Sequence, residues 1–262
     1  MAAIDSTVAE QAVGTDKSNR TVEFIRRKTT VVISASILAA MIFIAIFAPQ
    51  LATDPLELAP WQRLKPPGEF GLFGTDHLGR DVFARTIYGA RISLSVGLFV
   101  ALVSTGIGLF IGLLAGYVRI VDAVVMRIMD GLMAIPGILF AIALMALVGS
   151  SVQNVIIAIS VPEIPRVVRL VRAIVLTIRE MPYVEAAVAS GTRLPQILIR
   201  HILPNTFAPL MVQATYICAS AVIVEAYLSF LGAGTPPEIP SWGNMMAEGR
   251  VYFQFKPWLL FF

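Results

Sequence analysis

The chain has 262 residues, of which 57% are hydrophobic and only 14% charged, and its formal net charge is +3. Its mean hydropathy of +0.79 lies well outside the range of soluble domains. A single cysteine excludes an intramolecular disulfide; two histidines argue against a metal centre, and the lack of basic runs interleaved with aromatics argues against a nucleic-acid surface.

Charge is segregated along the chain. Residues 29–53, 92–118, 131–162 and 202–224 carry no Asp, Glu, Lys or Arg. A helix needs about 20 apolar residues to cross a bilayer, so the first, second and fourth stretches each predict one span. The third is too long for one, and the turn-rich Gly149-Ser150-Ser151-Val152-Gln153-Asn154 breaks it into a predicted helical hairpin. The expectation is an all-α polytopic helical membrane protein with spans at roughly 30–50, 93–117, 131–149, 153–174 and 206–229. Trp258-Leu259-Leu260-Phe261-Phe262 reads as the start of a sixth span, which predicts a core left incomplete at the C-terminus.

In chain order, residues 1–28 form a polar tail. The apolar stretch 29–53 lacks a small-residue cleavage site and predicts a retained anchor. Residues 54–91 form an outer, interfacial segment. Within it, 75–91 predicts an amphipathic helix: Asp76 and Arg80, then Asp81 and Arg85, stand at i,i+4, and Val82, Phe83 and Ile87 offer an apolar side to the bilayer. His77 is expected to be a solvated or interfacial side chain.

The core occupies 92–262. Gly108, Gly112 and Gly116 recur every four residues and predict a close helix contact on one face. Pro136 predicts a kink in the third span. Arg127, Asp130 and Asp122 predict a salt-bridge cluster, and Arg166, Arg169 and Arg172 are expected to snorkel toward headgroups. Glu225, with Ser229 and Trp242 close to it in sequence, invites two readings: a pathway or outer-gate role, or an interfacial carboxylate bonded to Ser229. The second is favoured.

Between the fourth and fifth spans, residues 180–205 predict two short helices joined at a glycine. Pro182 suits a first helical turn, the alanines of Glu185-Ala186-Ala187 leave a small face, and Gly191 supplies a left-handed stop. Thr192 is placed to cap the second helix, Pro195 lies in its first turn, and Pro204 is expected to end it. Too short and polar to span lipid, this knob suits helix-in-groove recognition. With the N-terminus inside, thirteen of the twenty Lys/Arg fall on the cytoplasmic side, which places the knob there.

The pattern Glu185-Ala186-Ala187-x3-Gly191-x9-His201-x-Leu203-Pro204 resembles the EAA loop of bacterial ABC importer permeases. Gly74-Thr75-Asp76-His77-Leu78-Gly79-Arg80-Asp81, Arg200-His201-Ile202-Leu203-Pro204-Asn205, Leu228-Ser229-Phe230-Leu231-Gly232 and Pro240-Ser241-Trp242-Gly243-Asn244-Met245 narrow the resemblance to the dipeptide/oligopeptide/nickel importers, C-type permease subunit. One departure is mild: the family's glycine after Gly232 stands at Gly234, with Ala233 between.

The resemblance implies a type I ABC importer permease fold in the bacterial inner membrane. It implies a second, B-type permease, two cytoplasmic ATPases carrying ATP and magnesium, and a periplasmic or lipid-anchored substrate-binding protein, with no cofactor on this chain. Surrounding membrane lipids complete its partners. ATPase coupling would fall to Glu185, Ala186, Ala187, Gly191, Arg193, Arg200, His201, Leu203 and Pro204. Two other classes compete. A stand-alone ion-coupled secondary carrier would show inverted repeats and mid-membrane charges, and a membrane enzyme would need a catalytic cluster; the sequence offers neither.

Overall fold

The computed structural model describes residues 28–261; all but the last residue of the predicted 1–28 tail, and Phe262, lie outside them. Helix α1 (Thr29–Ile46) stops at Phe47, and the single turn α2 (Ala48–Leu51) follows with Pro49 in its first turn. An irregular segment with one 3-10 turn (Pro60–Gln62) leads to α3 (Val82–Tyr117). Then come α4 (Arg119–Met133), α5 (Gly137–Val148) and α6 (Val152–Ile178). The segment expected to form the knob comprises α7 (Pro182–Ala189), α8 (Leu194–Ile197) and a π turn (Leu198–Ile202), continuing into α9 (Leu203–Phe230). Helices α10 (Trp242–Tyr252) and α11 (Trp258–Phe261) close the chain.

Among the described residues three helical stretches are long and apolar enough to cross a membrane: Thr29–Ile46, Val82–Tyr117 and Leu194–Phe230. The pair α4–α5, bent by 85°, adds a fourth when taken as one span. Helix α6 is long enough at 27 residues, but Glu163, Arg166 and Arg169 interrupt its apolar run.

Three expectations need correction. No separate interfacial helix covers 75–91. Residues 75–81 form a loop closed by a bridge between Thr75 and Asp81, and the helix that starts at Val82 runs unbroken for 36 residues into the span. Asp81 caps it, accepting from Phe83 N at 2.9 Å. Val82 and Ile87 are buried against protein rather than turned to lipid. The span expected at 131–149 is broken: Pro136 precedes α5 instead of kinking a continuous helix, because it lacks an N–H and pushes Ile135 out of helical geometry. Finally, Pro204 does not end the second coupling helix. It sits in the first turn of α9, where a missing N–H costs nothing.

The core lies where α3, α6 and α9 meet. Val96, Val100, Val155, Val167, Val171, Val175, Ile217 and Leu228 are fully buried there. The α3–α6 contact is the most extensive in the molecule. A Cβ added at Gly108, Gly112 or Gly116 would lie 2.5, 2.7 or 2.5 Å from the Cβ of Val167, Val171 or Val175. Two four-residue rows therefore interlock, glycine against valine, at a separation that a side chain would forbid.

Candidate functional site

The coupling segment is pinned from within and bare outside. Val184, Ile197, Leu198 and Ile202 are buried in the same core cluster as Ile178 and Leu210. Glu185, Ala186, Gly191, Arg193, Arg200 and Pro204 are exposed, whereas Ala187, His201 and Leu203 are half-buried. Among the described residues the Glu185 carboxylate has no hydrogen bond or ion pair, which leaves it available to an external partner. Gly191 has φ +75°, the left-handed region, and its N–H donates to Val188 O at 2.9 Å. Thr192 does not cap the next helix: Arg193 holds the N-cap position without a side-chain bond. A broad open groove runs between Thr192, Gln196, Arg200 and Pro204.

Charges on α4 and α6 pair, two of the three pairs running between the helices. Arg172 reaches Asp122 with Nη2–Oδ2 at 2.7 Å, and Arg169 Nη2 lies 2.7 Å from Asp130 Oδ1. Arg166 bonds Glu163 one turn back, at 3.0 Å. Thus the arginines expected to snorkel are partnered with carboxylates, and Asp122 and Asp130 pair with them instead of with Arg127.

Two polar networks occupy the opposite end. In the first, Asp76 Oδ2 accepts from Arg80 Nε at 2.6 Å and from Arg85 Nη1 at 2.7 Å. Glu248 Oε2 accepts from Arg80 at 2.7 Å and Arg85 at 2.5 Å, and its Oε1 from Arg85 Nη2 at 3.0 Å. The Arg85 side chain is 2% exposed, and its Nε is buried without a partner. Burial pushes the Asp76 carboxyl up, but the Arg80 and Arg85 guanidiniums and the Arg80 N–H outweigh it and hold it below the ordinary carboxylate range. His77 is half-buried: its ring stacks on Tyr252, and Nδ1 lies 3.7 Å from Glu248 Oε2. Asp76, His77 and Glu248 are spaced closely enough to ligate a cation. The two guanidiniums, however, already balance both carboxylates and occupy the lone pairs a metal would use.

The second network surrounds Glu225, which is 0% exposed. Its Oε1 accepts from Ser229 Oγ at 2.8 Å and Thr235 Oγ1 at 3.4 Å, and its Oε2 from Ser93 Oγ at 3.4 Å. Trp242 bonds the carbonyl of Thr86 through its indole N–H at 3.1 Å and packs over Gly89. Glu225 and Ser229 therefore sit in a buried hydroxyl cluster that ties α9 to α3 and to the 232–244 segment. Replacing Glu225 by glutamine is expected to destabilise the fold by about 1–2 kcal/mol, since an amide group cannot accept from all three hydroxyls. Thermal melting of the detergent-purified protein measures this, and an unchanged midpoint would refute it.

The family model described as binding-protein-dependent transport system inner membrane component matches residues 105–261. The chain belongs to that family. A probable peptide ABC transporter permease protein of Sinorhizobium fredii is 53% identical over 245 residues, covering 94% of this chain and 84% of that protein. A dipeptide transport system permease of Alkalihalophilus pseudofirmus is 41% identical, with 91% and 79% covered. A glutathione transport system permease of Pectobacterium atrosepticum is 38% identical, with 94% and 85% covered. This binding-protein-dependent permease is accordingly a non-catalytic, multi-pass inner-membrane subunit of an ABC importer, not a stand-alone carrier. It works with another permease, an ATPase and a binding protein.

Sequence reasoning missed several residues of these two networks. Arg85 had been paired with Asp81, and Glu248, Ser93 and Thr235 gave no signal, because their partners lie on other elements. Asp76 with Arg80 was legible from i,i+4 spacing, and Glu225 with Ser229 from a carboxylate following an uncharged run.

Proposed function

We propose that this permease carries peptides, with a B-type permease forming the other half of the pathway. Two cytoplasmic ATPases bind ATP and magnesium, and a periplasmic or lipid-anchored protein delivers the solute. The N-terminus is cytoplasmic, so the coupling segment meets the ATPases. Each ATPase receives one knob in a groove; ATP-driven closure of the ATPase pair draws the knobs together and turns the pathway outward. Such coupling requires that the two conformations bind the ATPases with different free energies.

The observation that carries this reading is an anchored knob whose Glu185 carboxylate has no partner among the described residues. Glu185 and Gly191 are exposed while Val184, Ile197, Leu198 and Ile202 anchor the segment to the core. The glutathione and dipeptide permeases among the relatives support a peptide-like solute.

Co-expression of the tagged chain with its partner permease and ATPases tests the coupling. Gly191→Pro demands φ near −65° where the backbone has +75° and removes the N–H bonded to Val188. Recovery of ATPase is expected to fall about tenfold with Gly191→Pro and several-fold with Glu185→Ala, the loss of a charge-assisted contact. Full recovery with both variants would remove the coupling role from this segment.

A further inference from the structure

A cavity of about 220 Å³ opens beside the Glu225 cluster. Its wall is drawn from four places: Ser150 on the α5–α6 turn, Ser229 at the end of α9, Thr235 on the following segment, and Asn244, Ala247 and Glu248 on α10. The family match assigns no residue of this cavity a role.

The wall's hydrogen-bonding capacity is lopsided. Asn244 Nδ2 faces the carbonyl oxygens of Pro236 at 2.8 Å, Ile239 at 3.0 Å and Thr235 at 3.3 Å. Three carbonyls can only accept, so the carboxamide's orientation is settled and its nitrogen is spent on the protein. Its Oδ1 has no hydrogen bond among the described residues and, unlike Arg85 Nε, is not sealed from solvent. Ser229 Oγ likewise turns inward, 2.8 Å from Glu225. On Glu248, Oε1 accepts a single bond, from Arg85, and the side chain is 21% exposed. Asn244 and Glu248 stand one helical turn apart, so both acceptors share a face of α10.

Arg80 and Arg85 balance Asp76 and Glu248, and among the described residues Glu225 is bonded by hydroxyls alone, one hydroxyl behind the wall. The acceptors left over at the wall, Asn244 Oδ1 and Glu248 Oε1, suit an N–H group rather than a carboxylate. The volume is below the 300–1,000 Å³ typical of whole-ligand pockets, room for about one residue of a peptide. The site also sits at the opposite end of α9 from the coupling segment, where solute would enter.

We infer that this cavity is a subsite for an N–H donor, ammonium or amide, of the solute passing from the binding protein. The inference rests on the peptide reading above. It deepens that reading by naming the group recognised, and leaves side-chain identity unread.

The test uses the complete importer in proteoliposomes with saturating loaded binding protein. Uptake of trialanine and of N-acetyl-trialanine is measured alongside ATPase activity. Ala247→Leu fills the cavity without touching a hydrogen bond of the wall. Uptake is expected to fall about tenfold, the equivalent of one charge-assisted hydrogen bond, while ATPase stays within about twofold. A loss confined to the free peptide assigns the ammonium; a loss shared by both assigns the amide N–H. Ser150→Val, on the facing turn, gives a second reading if Ala247→Leu fails to assemble. Unchanged uptake, or uptake and ATPase falling together, overturns the subsite and leaves the peptide reading intact. Absence of peptide uptake by the wild type overturns both.

Discussion

Gly112→Leu is expected to leave almost no monodisperse protein on size-exclusion chromatography in detergent. Its Cβ would lie 2.7 Å from Val171 Cβ and 3.0 Å from the Val168 carbonyl oxygen, and a backbone oxygen on a packed helix cannot yield. Helix α3 cannot tilt away locally either, because Gly108 and Gly116 hold the same contact on either side. Overpacking of this kind costs about 1–3 kcal/mol for small additions, and leucine adds four carbons. The milder Gly112→Ala should lower the melting midpoint, and Val171→Ala should recover part of that loss by removing the facing methyls. Gly106→Ala is the control. Nothing lies within 4 Å of its added Cβ, and alanine in a helix gains about 0.5–1 kcal/mol over glycine. Equal behaviour of the Gly106 and Gly112 alanine variants would defeat the interlocking account.

The second large effect is expected at Arg85. Arg85→Met leaves both Asp76 and Glu248 short of a donor in a buried setting, and breaking a buried pair costs about 3–5 kcal/mol. Arg85→Lys should recover only part, since one ammonium cannot reproduce the fork that holds two carboxylates. The pH dependence has a definite sign. A carboxyl whose folded pKa is depressed contributes stability that is present above its unfolded value, about 3.9, and is lost as pH falls through the folded value. Asp76 is such a group. The wild type should therefore keep this contribution until the pH drops below about 4. Arg85→Met should show a smaller acid-induced loss, since burial, which raises the Asp76 pKa, is then opposed only by the remaining donors and the folded value moves back toward the unfolded one. Melting curves between neutral and acid pH resolve the two; coincident acid limbs would show that Arg85 does not govern Asp76.

The sequence made the spans and the coupling knob legible for different reasons. Spans were readable because lipid demands uncharged runs, and charge is counted without knowing any contact. The knob was readable because Pro182 and Gly191 impose local backbone geometry. What stayed hidden was direction and pairing. Residues 131–162 are uncharged throughout, and hydropathy says nothing about an 85° turn within them. Asp81 and Arg85 have the spacing of a helical pair, but Asp81 is occupied with capping and Arg85 reaches Glu248, 163 residues away. Pro204 fitted both the end of one helix and the start of another; only the continuous path through the π turn decided between them. Glu225 was conspicuous by charge, yet its donors Ser93 and Thr235 are ordinary hydroxyl residues with no pattern of their own.

The π turn at Leu198–Ile202 has a mechanical consequence. Leu194–Phe230 is one helical shaft of 37 residues, about 55 Å long at 1.5 Å per residue. A tilt of about 5° around its middle moves each end by about 2 Å, in opposite directions. Pro209, between the ends carrying Arg200 and Glu225, removes one backbone bond without ending the helix, so both ends belong to one continuous element. The wide turn inserts one extra residue into the winding, and one residue is about 100° of phase. It thus sets which way the Arg200 end faces for a given orientation of the rest of the helix. The two ends of the shaft are held in angular register by a five-residue stretch whose composition looks unremarkable.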